Sequence, residues 1–380
     1  MDAMAKTLIA DEDFNQICWA SLRGKIEAAE CAEDDAAALG YYLVAFEIII
    51  KIVSSVISGA ELLSFRDPSL RNLIKTEFKL PSLGSWLQLD RICLEGQRKV
   101  WRNLERKARE EKEEYDLRKE QSEAEVSAPS VSADPDKDLN IKFHRPDPWE
   151  AHQRDRARHY LILDLPQKKI KPPSLRDLQQ FVTSVFRFQI KRQSNIDLLE
   201  LFELIVQVRN RVVHGGSLGP DSTKQLVENL SEILNVVLKN YPDYFLGSII
   251  FVDDVHHDGY ADCSMEGDQI ISARRKLYSD WLDSKKFPYY DEEWSLISLD
   301  DLKGVYYESS EGWYPLNFLI KRKTLANRGM YFFNGYDGER GKYISYEDES
   351  AWLASDERID RVFGQKGNED DQRNRVPIDL

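Results

Sequence analysis

Up to about Tyr244, the apolar residues of this chain recur three and four apart, the spacing of a helix face. Beyond that point they gather in short runs of β-branched and aromatic residues separated by turn residues. A helix buries a stripe and a strand buries a face, so this change of period sets the architecture. Helices first and strands afterwards predict an α+β fold. An antiparallel helical bundle is expected over residues 1–245, a small antiparallel β-rich domain over 246–363, and a disordered tail over 364–380.

Within the bundle, a first helix is expected over residues 11–32, with Phe14, Ile17, Leu22 and Ile26 facing inward. Residues 36–57 are the most apolar run, but they carry Glu47 and Lys51, four apart on one face. A carboxylate in the middle of the run predicts a buried core helix, with no membrane span. Asp34 or Asp35 is the expected cap. Pro81-Ser82-Leu83-Gly84 reads as a turn opening a helix near Ser85, which continues as a charge-dense, solvated helical extension over residues 98–119. An insertion is expected over about residues 105–160, disordered around 121–138, where Ser, Ala, Glu and Pro dominate. Further helices are expected over residues 175–192, 195–213 and 220–240. Strand-like runs lie at 248–252, 304–307, 316–320, 329–333 and 342–346, with turn signals at Asn334-Gly335 and Asp337-Gly338.

The helix over 195–213 carries the most specific chemistry. Leu198, Leu201, Phe202, Ile205, Val208 and Val212 form its apolar stripe. At about 100° per residue, Asn210 and His214 lie about 40° apart, roughly opposite that stripe, with Arg209 at its edge. Gly215-Gly216 is expected to end the helix through a left-handed residue. His214 then occupies the last turn, where the helix dipole favours imidazolium and an imidazole can act as acid or base near neutral pH. The guanidinium fork of Arg209 suits a pair of phosphate oxygens. A basic residue in a last turn, followed by glycine, is also an ordinary way to end a helix.

The spacing Arg209-x-x-x-x-His214, with a polar Asn210 after the arginine, resembles the signature of the HEPN superfamily. Leu80-Pro81-Ser82-Leu83-Gly84-Ser85-Trp86 is similar to an element upstream of that signature in some bacterial HEPN-like regions, and the resemblance covers roughly residues 35–245. It implies a helical domain that dimerises. In active members the dimer builds a composite ribonuclease site that uses no metal or other cofactor. Other members are inactive, and some are nucleotide-binding modules. On this resemblance His214 would transfer a proton, Arg209 would stabilise charge on the phosphoryl oxygens, and Asn210 would orient substrate or histidine. The partners would be RNA and a second copy of the chain, in a cytoplasmic defence or toxin setting. The competing expectation is a noncatalytic dimerisation or sensing module whose β-rich domain binds a protein partner or ligand of unknown identity.

Composition narrows these readings. The net charge of −14 disfavours a broad nonspecific surface for nucleic acid, so any RNA contact must be local. Candidate cations are Arg154, Arg156, Arg158, Lys168, Lys169, Lys171, Arg187, Lys191 and Arg192, although they read first as solvated loop charge. Cys18, Cys31, Cys93 and Cys263 show no paired spacing and read as thiols of a reducing compartment; no secretory signal is expected. His256 and His257 would point to opposite faces of a strand, so the run from Asp253 to Asp258 reads as a solvated strand end, with no metal site. Arg274-Arg275-Lys276 and Lys321-Arg322-Lys323 read as solvated faces ahead of a single-strand binding surface. The glycines at 215–219 follow a helix and lack the lysine of a phosphate-binding loop, which excludes that route to nucleotide hydrolysis.

Overall fold

The computed structural model describes residues 12–64, 76–78, 81–127, 147–157, 159–190, 192–215, 218–255, 260–265, 272–276, 304–309, 312–316, 318–321, 330–337, 340–347, 350–354 and 377–378. The chain is α+β. Its helices are α1 (Glu12–Asn15), α2 (Ala20–Glu30), α3 (Asp35–Ser64), α4 (Leu83–Ser127), α5 (Pro148–Ala157), α6 (Tyr160–Leu163), α7 (Leu175–Ser184), α8 (Leu198–His214) and α9 (Pro220–Asn240). The strands are β1 (Ser248–Val255), β2 (Tyr260–Met265), β3 (Ser272–Lys276), β4 (Gly304–Ser309), β5 (Gly312–Leu316), β6 (Leu319–Lys321), β7 (Met330–Asp337), β8 (Arg340–Ser345), β9 (Ala351–Ala354) and β10 (Pro377–Ile378). They form two five-stranded antiparallel sheets, ordered β3-β2-β1-β4-β5 and β10-β9-β8-β7-β6.

The central element is α3. Phe46, Ile48, Ile49, Ile50, Ile52, Val53, Val56 and Ile57 are all fully buried, so the helix is apolar on every side. Among the described residues it is the one helix long and apolar enough to cross a membrane, yet 67% of its most apolar stretch is buried against the rest of the chain. It packs against α2, α4, α9 and β5. The Asp34 carboxylate caps it, accepting a 2.7 Å hydrogen bond from the Ala37 N–H.

Two neighbouring segments differ from the expectation. Ser82 and Ser85 cap each other reciprocally (3.2 and 3.3 Å), so α4 begins at Leu83. It then runs for 45 residues, about 67 Å, through the charged extension and into the stretch read as a loop. Ion pairs one turn apart, Glu105–Arg109, Arg106–Glu110, Lys112–Asp116 and Glu114–Arg118, support that continuation. α5 folds back on α4. Trp101 lies 5.4 Å from the His152 ring and 5.0 Å from the His159 ring, Arg109 sits over Trp149, and Lys112 meets Asp147 at 2.5 Å. The helix expected over 98–119 thus carries on through 121–127, where disorder was expected; residues 128–146 lie outside the described residues.

The sheets share a core with the helices. Trp19 stacks on Tyr307 and donates to the Tyr244 carbonyl, while Phe78, Trp86, Phe318 and Phe333 interlock between α4 and the second sheet. The junction needs Gly247: a side chain there would stand 2.2 Å from the Glu308 carbonyl oxygen. The run read at 316–320 is broken, because Phe318 takes a positive φ of 65° between β5 and β6. Asn334-Gly335, read as a turn, lies inside β7 as a bulge, and the chain turns after Asp337, which pairs with Arg340. In the tail, Pro377 and Ile378 pair with Trp352 and Ala351; the remainder of 364–380 lies outside the described residues.

Candidate functional site

α8 starts at Leu198 because Asp197 closes a capping box, accepting from the Glu200 N–H at 2.9 Å while Glu200 accepts from the Asp197 N–H at 3.1 Å. Lys169 bonds both carboxylates, at 3.0 and 2.5 Å. The helix ends where the sequence indicates, and Gly216, which follows its cap, lies outside the described residues. Gly215 has φ −101° and ψ 0°, which is not left-handed. Glycine is needed there because a side chain would meet the Arg211 carbonyl oxygen at 2.3 Å.

The stripe residues Leu198, Leu201, Phe202, Ile205 and Val208 are buried as expected. Asn210 and His214 lie on the exposed face. Arg209 is on the other flank of the helix, with its side chain 30% exposed and its Nη2 donating to Glu47 Oε2 at 3.2 Å. Five residues at about 100° each put Arg209 and His214 about 140° apart. The three candidate residues thus share the end of one helix, but Arg209 points away from the other two.

Arg209 is held by a buried polar cluster. Lys51, 2% exposed, donates to the Tyr346 hydroxyl oxygen at 2.6 Å and approaches Glu47 Oε1 at 3.2 Å. The Tyr346 hydroxyl donates to Glu47 Oε1 at 2.5 Å. Burial opposes the charge on Glu47, but Lys51, the Tyr346 hydroxyl and Arg209 outweigh it, so the carboxyl sits below its ordinary range. Burial lowers Lys51, partly offset by Glu47. Burial, reinforced by the Glu47 anion, pushes Tyr346 well above its ordinary value, so its hydroxyl stays a donor. The sequence flagged Glu47 and Lys51 only as an argument against a membrane span. Nothing in it pointed to Tyr346, which lies 299 residues from Glu47.

Arg209 and Glu47 also line a groove of about 450 Å³ between α3, the end of α8 and the start of α9. Its walls are apolar, chiefly Leu39, Leu43, Val44, Val212 and Leu218. Val213, 56% exposed, stands beside it.

Of the other candidates, Arg158 and Lys191 lie outside the described residues, and Lys169, Lys168 and Arg156 lie away from the motif. Lys169 caps the far end of α8, about 25 Å from His214. Lys168 donates to the Asn240 carbonyl, and Arg156 pairs with Asp164 at 3.0 Å. These cations do not gather around the motif. His256 and His257 lie outside the described residues, among which no group of three or more His, Cys, Asp or Glu is assembled. Arg274, Arg275 and Lys276 fall on β3, paired with β2. No protein-family model, curated protein or solved structure matches this chain.

Proposed function

We propose that the chain is a metal-independent endoribonuclease of the HEPN type, acting in the cytoplasm as a homodimer. The observation that carries this reading is an arginine tethered at a groove mouth on the same helix end that leaves Asn210 and His214 open to solvent. The ribose 2′-OH attacks the adjacent phosphorus, the P–O5′ bond breaks, and the products carry a 2′,3′-cyclic phosphate and a 5′-OH. His214 transfers the proton, Arg209 neutralises charge on the phosphoryl oxygens, and Asn210 orients the substrate or the imidazole. A guanidinium has five N–H donors, and Glu47 engages it through Nη2.

Metal independence follows from the resemblance of the motif. A dimer fits the different flanks of Arg209 and His214, since a second copy across a two-fold axis would supply the missing histidine. Exposed Val213 beside an apolar groove gives that contact a self-complementary patch. One observation favours a second reading. The Arg209–Glu47 pair has a structural role of its own, as it would in a noncatalytic scaffold whose β-rich half binds a protein or ligand. Sedimentation separates the readings together with cleavage of single-stranded RNA in EDTA. A dimer that cleaves supports the enzyme. A dimer without cleavage supports the scaffold, and a cleaving monomer removes the composite site.

A further inference from the structure

We propose that Tyr346, acting through Glu47, is a positioning residue for Arg209, so that the β-rich half forms part of the motif site. The inference rests on reading Arg209 as the group that grips an anion. A glutamate carboxylate turns broadly about its terminal bond, so Glu47 alone would not fix the oxygen that faces Arg209. Here Oε1 is taken by two donors, the Tyr346 hydroxyl at 2.5 Å and Lys51 at 3.2 Å. With Oε1 fixed, Oε2 is fixed as well, and it is Oε2 that receives Arg209 Nη2.

The hydroxyl is itself firmly held. Tyr346 directly follows β8, its ring meets Phe332 edge-on at 5.4 Å, and the Lys51 ammonium, 5.1 Å from the ring centroid, donates to its hydroxyl. The turn beyond it is braced by the Ser345 N–H donating to the Ser350 carbonyl and by a 2.7 Å bond between Tyr331 and Ser350. Position therefore passes from the β7–β8 hairpin to Tyr346, then Glu47, then Arg209. Without the hydroxyl, Lys51 competes directly for the carboxylate and Arg209 loses a fixed acceptor.

The test uses the full-length protein with 15N-labelled arginine, the Arg209 Nε–Hε resonance being assigned with Arg209→Lys. Tyr346→Phe keeps the ring and removes the hydroxyl. It is expected to shift or broaden that resonance and to lower kcat for single-stranded RNA by roughly tenfold to a hundredfold, with a smaller change in KM. Phe332→Leu loosens the packing of the same ring but keeps the hydroxyl, and is expected to move the resonance less than Tyr346→Phe does. Glu47→Gln is expected to move it unaided, and Tyr346→Phe added to Glu47→Gln to have little further effect. An Arg209 resonance unmoved by either Tyr346→Phe or Glu47→Gln overturns the proposal, as does full additivity of the pair. If the resonance moves while Arg209→Ala leaves RNA cleavage intact, the positioning stands and the ribonuclease reading fails.

Discussion

The two flanks of α8 are built to different standards. On the groove side, Arg209 is fastened through Glu47 to Lys51 and to Tyr346, a chain of contacts joining α8, α3 and the second sheet. On the solvent side, the side chains of Asn210 and His214 make no hydrogen bond to any described residue. A six-residue motif is therefore not one structural unit. Its arginine is tied into the fold, whereas its histidine is exposed and, on the function proposed above, would serve only the chemistry. Substitutions on the two flanks should separate stability from activity.

The largest stability effect is expected from Glu47→Ala, which strands the buried Lys51 ammonium beside Arg209. Loss of the anion from such a cluster costs about 3–5 kcal/mol, readable by urea unfolding. A loss below about 1 kcal/mol would erase the contrast between the flanks. Arg209→Ala should cost less, about 1–3 kcal/mol, because Glu47 keeps Lys51 and Tyr346 and the arginine is partly solvated.

Proton linkage sharpens the comparison through two buried carboxyls. The Glu47 carboxyl is held below its ordinary value of 4.5, so the stability it contributes is present above pH 4.5 and is lost as pH falls through the folded value. Among the described residues Asp90 has only the Ser54 hydroxyl, at 2.8 Å, as a hydrogen-bond partner, and burial raises it well above 3.8. Its neutral form is favoured in the fold, so stability is lost as pH rises above 3.8. The advantage of Glu47 over Glu47→Gln should shrink in acid, while Asp90→Asn should gain on wild type as pH increases. Thermal unfolding from pH 3 to 8 reads both; parallel trends would show that the cations do not reach Glu47 as described. The smallest effect is expected from His214→Ala, within about 0.5 kcal/mol of wild type, because the side chain is exposed.

Legibility followed the range of the interactions. α3, α8 and α9 were readable because each carries a long local apolar pattern, and α9 opens at Pro220 as expected. The helical extension over 98–119 was readable from its charge pattern, but its run on to Ser127 and the packing of α5 were not, because they rest on contacts such as Trp101 with His152, about fifty positions away. β2, β3 and β9 escaped because they lack long apolar runs, and Asn334-Gly335 was misread because a bulge uses the same residues as a turn. At the site, the motif residues were readable but their partners were not. The contact of Arg209 with Glu47 spans 162 residues, and no local signal encodes it.

The most direct test of the two-flank picture is cleavage of single-stranded RNA in EDTA by wild type and His214→Ala at matched folded concentration. Wild type is expected to release products with 2′,3′-cyclic phosphate ends. His214→Ala is expected to lose at least about a hundredfold in rate with an unchanged unfolding midpoint. Full activity in His214→Ala, or activity abolished by EDTA, would contradict the mechanism.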